Sequence, residues 1–136
     1  MGGQRTDRIS EKDLAVLEFV ARYGVVPRGV VAAWAGTAKA ATASRERRLR
    51  MEGLIEVGPG FGGSGRLLHA TRSGLAAVGR EELRVSRPSA GAVRHEAAVA
   101  RIGVWLEAGG YRILSERELL AVERVEGKRI YSVRTR

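Results

Sequence analysis

The stretch GPGFGGSGR, residues 58–66, carries five glycines in nine residues and stands between two short apolar runs, LIEV at 54–57 and RLLHA at 66–70. Both runs have the length and side-chain character of strands. A glycine-rich segment that turns one strand back on another makes a long hairpin tip, because glycine accepts positive φ at little steric cost. Gly60, Gly62 and Gly65 also spell G-x-G-x-x-G. A dinucleotide loop, however, runs from a strand straight into a helix whose N-terminus holds the pyrophosphate. Here a strand follows, and no G-K-[ST] does, so a hairpin is expected and not a nucleotide cradle.

What precedes the hairpin has helical period. Ser10 and Asp13 form a partial capping box, and Leu14, Val16, Leu17, Phe19, Val20 and Tyr23 give a helix over 11–23 with a wide apolar face. Gly24 ends it. Pro27 suits a first helical turn, so a second helix is expected at 28–35, closed by Gly36. Thr37 caps a third, from about 38 to 52, with Gly53 as its C′ glycine. After the hairpin, Thr71 caps a fourth helix over 72–80. Residues 81–91 read as a linker. A longer helix is expected at 92–108, with Val99, Ile102, Trp105 and Leu106 on one face. Strands are expected at 111–114 and 130–133. Between them lies a helix over 115–123 with a capping box from Ser115 to Glu118, then a turn at 126–128.

Three helices, a strand, a glycine-rich hairpin, a strand and a helix follow the order of a winged helix-turn-helix. The expected fold class is therefore α+β. A winged helix-turn-helix (three helices plus a β-hairpin wing) spans 8–80, with a small αβ extension at 92–136. In such a unit two helices brace a third in the major groove, while the hairpin skims the flanking backbone.

Charge agrees with that order. The chain has a formal net charge of +9 in 136 residues, which points toward a polyanion. The sign alone is weak, because a sequence rich in Ala, Gly and Arg and poor in Lys has the stamp of a GC-rich genome. Placement says more. On the third helix, with Leu49 facing the core, Ala38, Ala41, Thr42 and Arg45 fall on the inward side. Ala40, Ala43, Ser44 and Arg47 face away, with Arg48 and Arg50 on the flanks. The expected phosphate contacts are Lys39, Arg47, Arg48 and Arg50 on this helix and Arg66 at the wing, with Arg28 and Arg72 as flanking contacts. Base readout rests on Arg47, Ser44 and Lys39, so sequence preference is modest. Arg45, awkwardly inward, is expected to snorkel or to pair with an acid.

The runs LEFVARYGVVPRGVVAAWAG, RERRLRMEGLIEV and HATRSGLAAVG, followed by RHEAAVARIGVWLEAGGYRILSEREL, resemble the winged-helix family of actinobacterial plasmid and mobile-element proteins known as replication-relaxation proteins. The resemblance covers about residues 12–120 and implies DNA binding in plasmid replication, relaxation or gene control. Two departures stand out. Glu46 occupies a position that commonly holds a large apolar residue, which weakens helix packing. The chain also stops at Arg136, where family members often carry a further domain, so a short member or a fragment is expected.

Catalytic readings find little support. With no cysteine and only His69 and His95, neither a thiolate nucleophile nor a zinc cluster is expected. Glu126-Gly127-Lys128 spells the E-x-K of a metal nuclease, but no aspartate follows Asp13, and Glu116, Glu118 or Glu123 would have to supply the missing acid. No nucleophile elbow is present. The expectation is a non-enzyme without cofactor or metal, whose partner is double-stranded DNA. No run approaches the ~18 apolar residues of a membrane span, and no secretory leader opens the chain, so a cytoplasmic protein is expected. Trp105 and its neighbours are read as intradomain core, or else as a homodimer seam over 92–108. The rival function is a winged-helix module that docks a protein, its basic face being incidental.

Overall fold

The computed structural model describes residues 9–36, 38–60, 65–86 and 90–126. Their order is α1 (Glu11–Tyr23), β1 (Val25–Pro27), α2 (Arg28–Ala35), α3 (Lys39–Met51), β2 (Ile55–Gly58), β3 (Leu67–Ala70), α4 (Arg72–Ala77), α5 (Ala90–Ala108) and α6 (Glu116–Glu126). The described residues thus form a mixed α+β structure with six helices and a three-stranded antiparallel sheet.

Local chemistry explains most boundaries. The α1 capping box is reciprocal: Asp13 N donates to Ser10 Oγ and Ser10 N donates to Asp13 Oδ2, each at 3.1 Å. Gly36 (φ 65°) closes α2 in the left-handed region, and Gly53 (φ 73°) does so after α3. The N-cap of α3 is Ala38, with no side-chain hydrogen bond. Thr37, the expected cap, lies outside the described residues. Thr71 Oγ1 accepts from Gly74 N at 3.0 Å and starts α4. A Cβ at Gly74 would collide with the Leu54 carbonyl, so that helix starts hard against the loop before β2. Ser115 and Glu118 exchange the two hydrogen bonds of a second capping box, at 2.8 and 3.2 Å, and start α6.

The sheet has the order β1-β3-β2. The hairpin forms as expected, with Ile55 opposite Ala70 and Gly58 opposite Leu67. Its tip, 61–64, lies outside the described residues. The strand β1 was not expected: Val25 pairs with His69 and Pro27 with Leu67. Three residues are too few to show a period, and Pro27 is tolerated because β1 is an edge strand. One sheet face, with Val26, Leu68, Ile55 and Ala70, joins the main core of Val16, Leu17, Phe19, Val20 and Leu49. Val25 and Leu67 share the other face and are also buried.

The second segment departs from expectation in two places. Residues 111–114 form no strand. The Ile113 carbonyl instead accepts from Arg22 Nη2 at 2.6 Å, so a side chain takes the place of a neighbouring strand. The segment expected as a strand at 130–133 lies outside the described residues. Trp105 is not core: it is 74% exposed, and Ile102 is 57% exposed. The reason is close approach. The helix α5 packs on β1, α2 and α1 through Ala97, Ala100 and Gly103, and a Cβ at Gly103 would run into the Tyr23 hydroxyl. Small residues occupy the line of closest approach, with Val99 and Val104 packed beside them, while Ile102 and Trp105 turn outward.

An ionic joint completes the packing. Arg22 reaches Glu107 at 3.1 Å and Glu118 at 3.3 Å, and Arg80 reaches Glu118 at 2.8 Å and Glu82 at 2.7 Å. Trp34 stacks on Phe19 and donates to Glu107 at 3.3 Å. Burial acts to raise the Glu118 pKa, but the Ser115 amide and the two arginines outweigh it and hold the group below its ordinary value.

Candidate nucleic-acid interface

The third helix offers little apolar surface to the core. Leu49 is fully buried, and beside the small Ala41 the inward side is polar: Thr42 and Glu46 are buried and Arg45 is half-buried. A helix that turns charge inward must satisfy it there. Two clamps do so.

On one flank, the fully buried carboxylate of Asp13 accepts from Arg48 Nε at 2.9 Å, from Arg48 Nη2 at 3.0 Å and from Arg45 Nη1 at 3.3 Å. Burial pushes the Asp13 pKa up, but the hydrogen bonds from Arg48 and the Ser10 amide, with the Arg48 charge, more than reverse this and keep it below the ordinary aspartate range. On the other flank the polarity is reversed. Glu46 of α3 takes a two-pronged contact from Arg28, the first residue of α2, with Nε at 2.7 Å and Nη2 at 2.5 Å. Arg28 N also donates to the Arg66 carbonyl at 2.9 Å, which ties the start of α2 to the base of the hairpin. Glu46 therefore does not leave the helix loosely packed, as the sequence alone implied. It is the acidic half of a paired contact.

The expected site residues separate accordingly. Ala40, Ala43, Ser44, Arg47 and Arg50 are exposed on the outward side of α3. Lys39 opens the helix, and its side chain lies outside what the structure describes. Arg66 and Arg72 are exposed, at the hairpin base and the first turn of α4. Arg47, Arg50, Arg66 and Arg72 make no ion pair among the described residues. Arg48 and Arg28 differ: both side chains are about two-fifths exposed, but both are engaged by buried carboxylates. Arg45 finds the acidic partner expected of it. The sequence marks Asp13 only as a cap; its legible signal is Arg45 on the inward side of α3, which demands a carboxylate nearby.

Other chemistry is sparse. Among the described residues no three His, Asp or Glu side chains converge as a metal would require. Glu126 ends α6, and Lys128 of the E-x-K lies outside the described residues. His69 is buried on β3 and faces Glu56 across the hairpin at 3.4 Å. His95 borders a small cavity with Tyr23, Glu96, Val99, Arg117 and Leu120. No described helix is long and apolar enough to cross a membrane. No family model, curated protein or solved structure matches the chain.

Proposed function

We propose that this chain binds double-stranded DNA without catalysis, as a winged helix-turn-helix in which α3 enters the major groove and the β2–β3 hairpin is the wing. The observation that carries the reading is the sorting of charge on α3. Its inward charges are paired with Asp13 and Arg28, while Arg47 and Arg50 stay exposed beyond a run of small residues. A helix front of Ala40, Ala43 and Ser44 fits a groove, and cations toward the rear meet phosphates. Phosphate contacts then dominate affinity, and sequence preference is modest. The sequence resemblance to replication-relaxation proteins supports a role in plasmid or mobile-element replication control or in transcription regulation, and we infer a cytoplasmic protein.

The test is binding to a mixed-sequence duplex over a salt series. Steep salt dependence that flattens in the Arg47→Ala, Arg50→Ala double variant supports the reading. No binding at low salt by a folded protein rejects it.

A second reading, a protein-docking module, has its own observation in the outward row of α5. Ile102 and Trp105 project from it, and Leu120 of α6, 46% exposed, borders the same cavity as Val99. Within the DNA-binding reading this row serves as a homodimer seam, which would present two α3 helices to a palindromic site. Sedimentation equilibrium decides it: a dimer that Trp105→Ala dissociates supports the seam, and a monomer at all concentrations rejects it.

A further inference from the structure

We propose that Arg28 is a positioning residue, a brace that holds α3 and the wing at a set separation, and not one of the phosphate contacts. The assignment rests on the DNA-binding reading above. Three observations carry it. Arg28 grips Glu46 through both Nε and Nη2, the geometry in which a guanidinium is most directional. Glu46 is only 6% exposed. Transfer of Arg28 to a phosphate would leave a buried carboxylate uncompensated, so the pair stays closed when DNA arrives. The Arg28 amide is meanwhile held by the Arg66 carbonyl at 2.9 Å. One residue therefore joins α2, α3 and the hairpin at the point where the hairpin leaves the body of the protein.

Movement of the wing away from α3 must break either the hydrogen bond from the Arg28 amide to the Arg66 carbonyl or the fork on Glu46. While both hold, Arg47 and Arg50 on α3 and Arg66 on the wing keep a constant spacing. A rigid pair of phosphate-facing elements binds a duplex with less loss of conformational freedom than two that move independently. The clamp at Asp13 fixes the opposite flank of the same helix, so α3 is held from both sides.

Phosphate contact and brace are separable by experiment. A contact with phosphate survives replacement by lysine, which offers the same charge; a two-pronged brace does not. Loss of one phosphate contact also lowers the slope of log K against log salt by about 0.9, whereas loss of geometry weakens binding at constant slope.

The 136-residue chain is titrated with a fluorescent mixed-sequence duplex at several salt concentrations, with circular dichroism to show that each variant is folded. Arg28→Lys is expected to bind roughly tenfold more weakly, within the range set by loss of one well-placed arginine contact, at the wild-type slope. Should Arg28→Lys not fold, the paired change Arg28→Met with Glu46→Leu removes both charges together and serves the same purpose; it too is expected to weaken binding at constant slope. Arg47→Ala is the reference and should lower the slope by about one. Wild-type binding by Arg28→Lys, or a slope lowered by about one in the paired change, overturns the brace while the Arg47→Ala result leaves DNA binding standing. Failure of the folded wild type to bind overturns both.

Discussion

Asp13 shows how much one side chain can hold. It caps α1 through Ser10 and anchors α3 through Arg45 and Arg48, and none of its surface meets water. Asp13→Ala removes a helix cap and charge-assisted hydrogen bonds together. It is expected to destabilise the fold by about 3 kcal/mol, read as a lower urea midpoint. The same group sets an acid limit. Its folded pKa lies below the unfolded value, so its contribution is fully present above the unfolded pKa of about 4 and is lost as the pH falls through the folded one. Stability should therefore decline below about pH 4 in the wild type and less steeply in Asp13→Asn, as urea midpoints over a pH series would show. At the outward positions the expectations concern binding alone. Arg47→Ala and Arg50→Ala should leave the thermal midpoint within a degree or two, because exposed substitutions usually change stability by less than ~0.5 kcal/mol.

At the scale of elements, α5 combines two unlike faces. Its inward face is Ala97, Ala100 and Gly103, and its outward face carries Ile102 and Trp105. Gly103→Ala adds a methyl group where Tyr23 already stands, so a loss of about 1–3 kcal/mol is expected on thermal unfolding. Trp105→Ala should leave monomer stability almost unchanged while it abolishes any self-association. The opposite pattern, a large stability loss with no change of mass, would show that Trp105 packs within the chain. Helical period alone could not assign these faces. It puts Val99, Ile102, Trp105 and Leu106 on one face, but Val99 packs against the core while Ile102 and Trp105 are exposed, because period carries no information on how near another backbone comes. The same limit hid β1, whose three residues form a strand only because β3 is there to pair with them.

Over the whole molecule, the two halves of the chain share one interior. Leu83, Ala100 and Ala121 belong to the same core cluster as Leu17, Val20 and Leu49. The Arg22, Glu107, Glu118 and Arg80 joint spans α1, α5, α6 and the segment after α4. Tyr23 lies within this joint: burial, with the Glu107 charge beside it, pushes its pKa up to about 12. The fold thus keeps this phenol neutral, and its contribution is present below the unfolded pKa of about 10 and lost as the pH rises through the folded value. A single cooperative transition is expected for the chain, with far-ultraviolet dichroism and Trp34 fluorescence changing together. Truncation after Ser86 should leave the remainder poorly folded, because it strips cover from Tyr23 and β1. Two separated transitions, or a stable truncated unit, would show instead that the halves fold independently.

The order of the six helices, the β2–β3 hairpin, the capping boxes, the glycine stops and the outward side of α3 were legible in the sequence, whereas β1 was not and the strand expected at 111–114 does not form. Each legible feature depends on residues within a few positions of one another, where backbone geometry leaves few choices. The hairpin was legible for the same reason: glycines between two apolar runs admit little else. The partner of each inward charge was not legible, since Asp13 meets Arg45 and Arg48 across 32 and 35 residues and Arg28 meets Glu46 across 18. Sequence spacing could say that an arginine on the inward side of α3 needs a carboxylate; only the packing of α1 and α2 against α3 decided which one. Tertiary structure therefore divided the basic residues of the candidate site into those that hold the helix and those left exposed, because burial makes an unpaired charge too costly to keep.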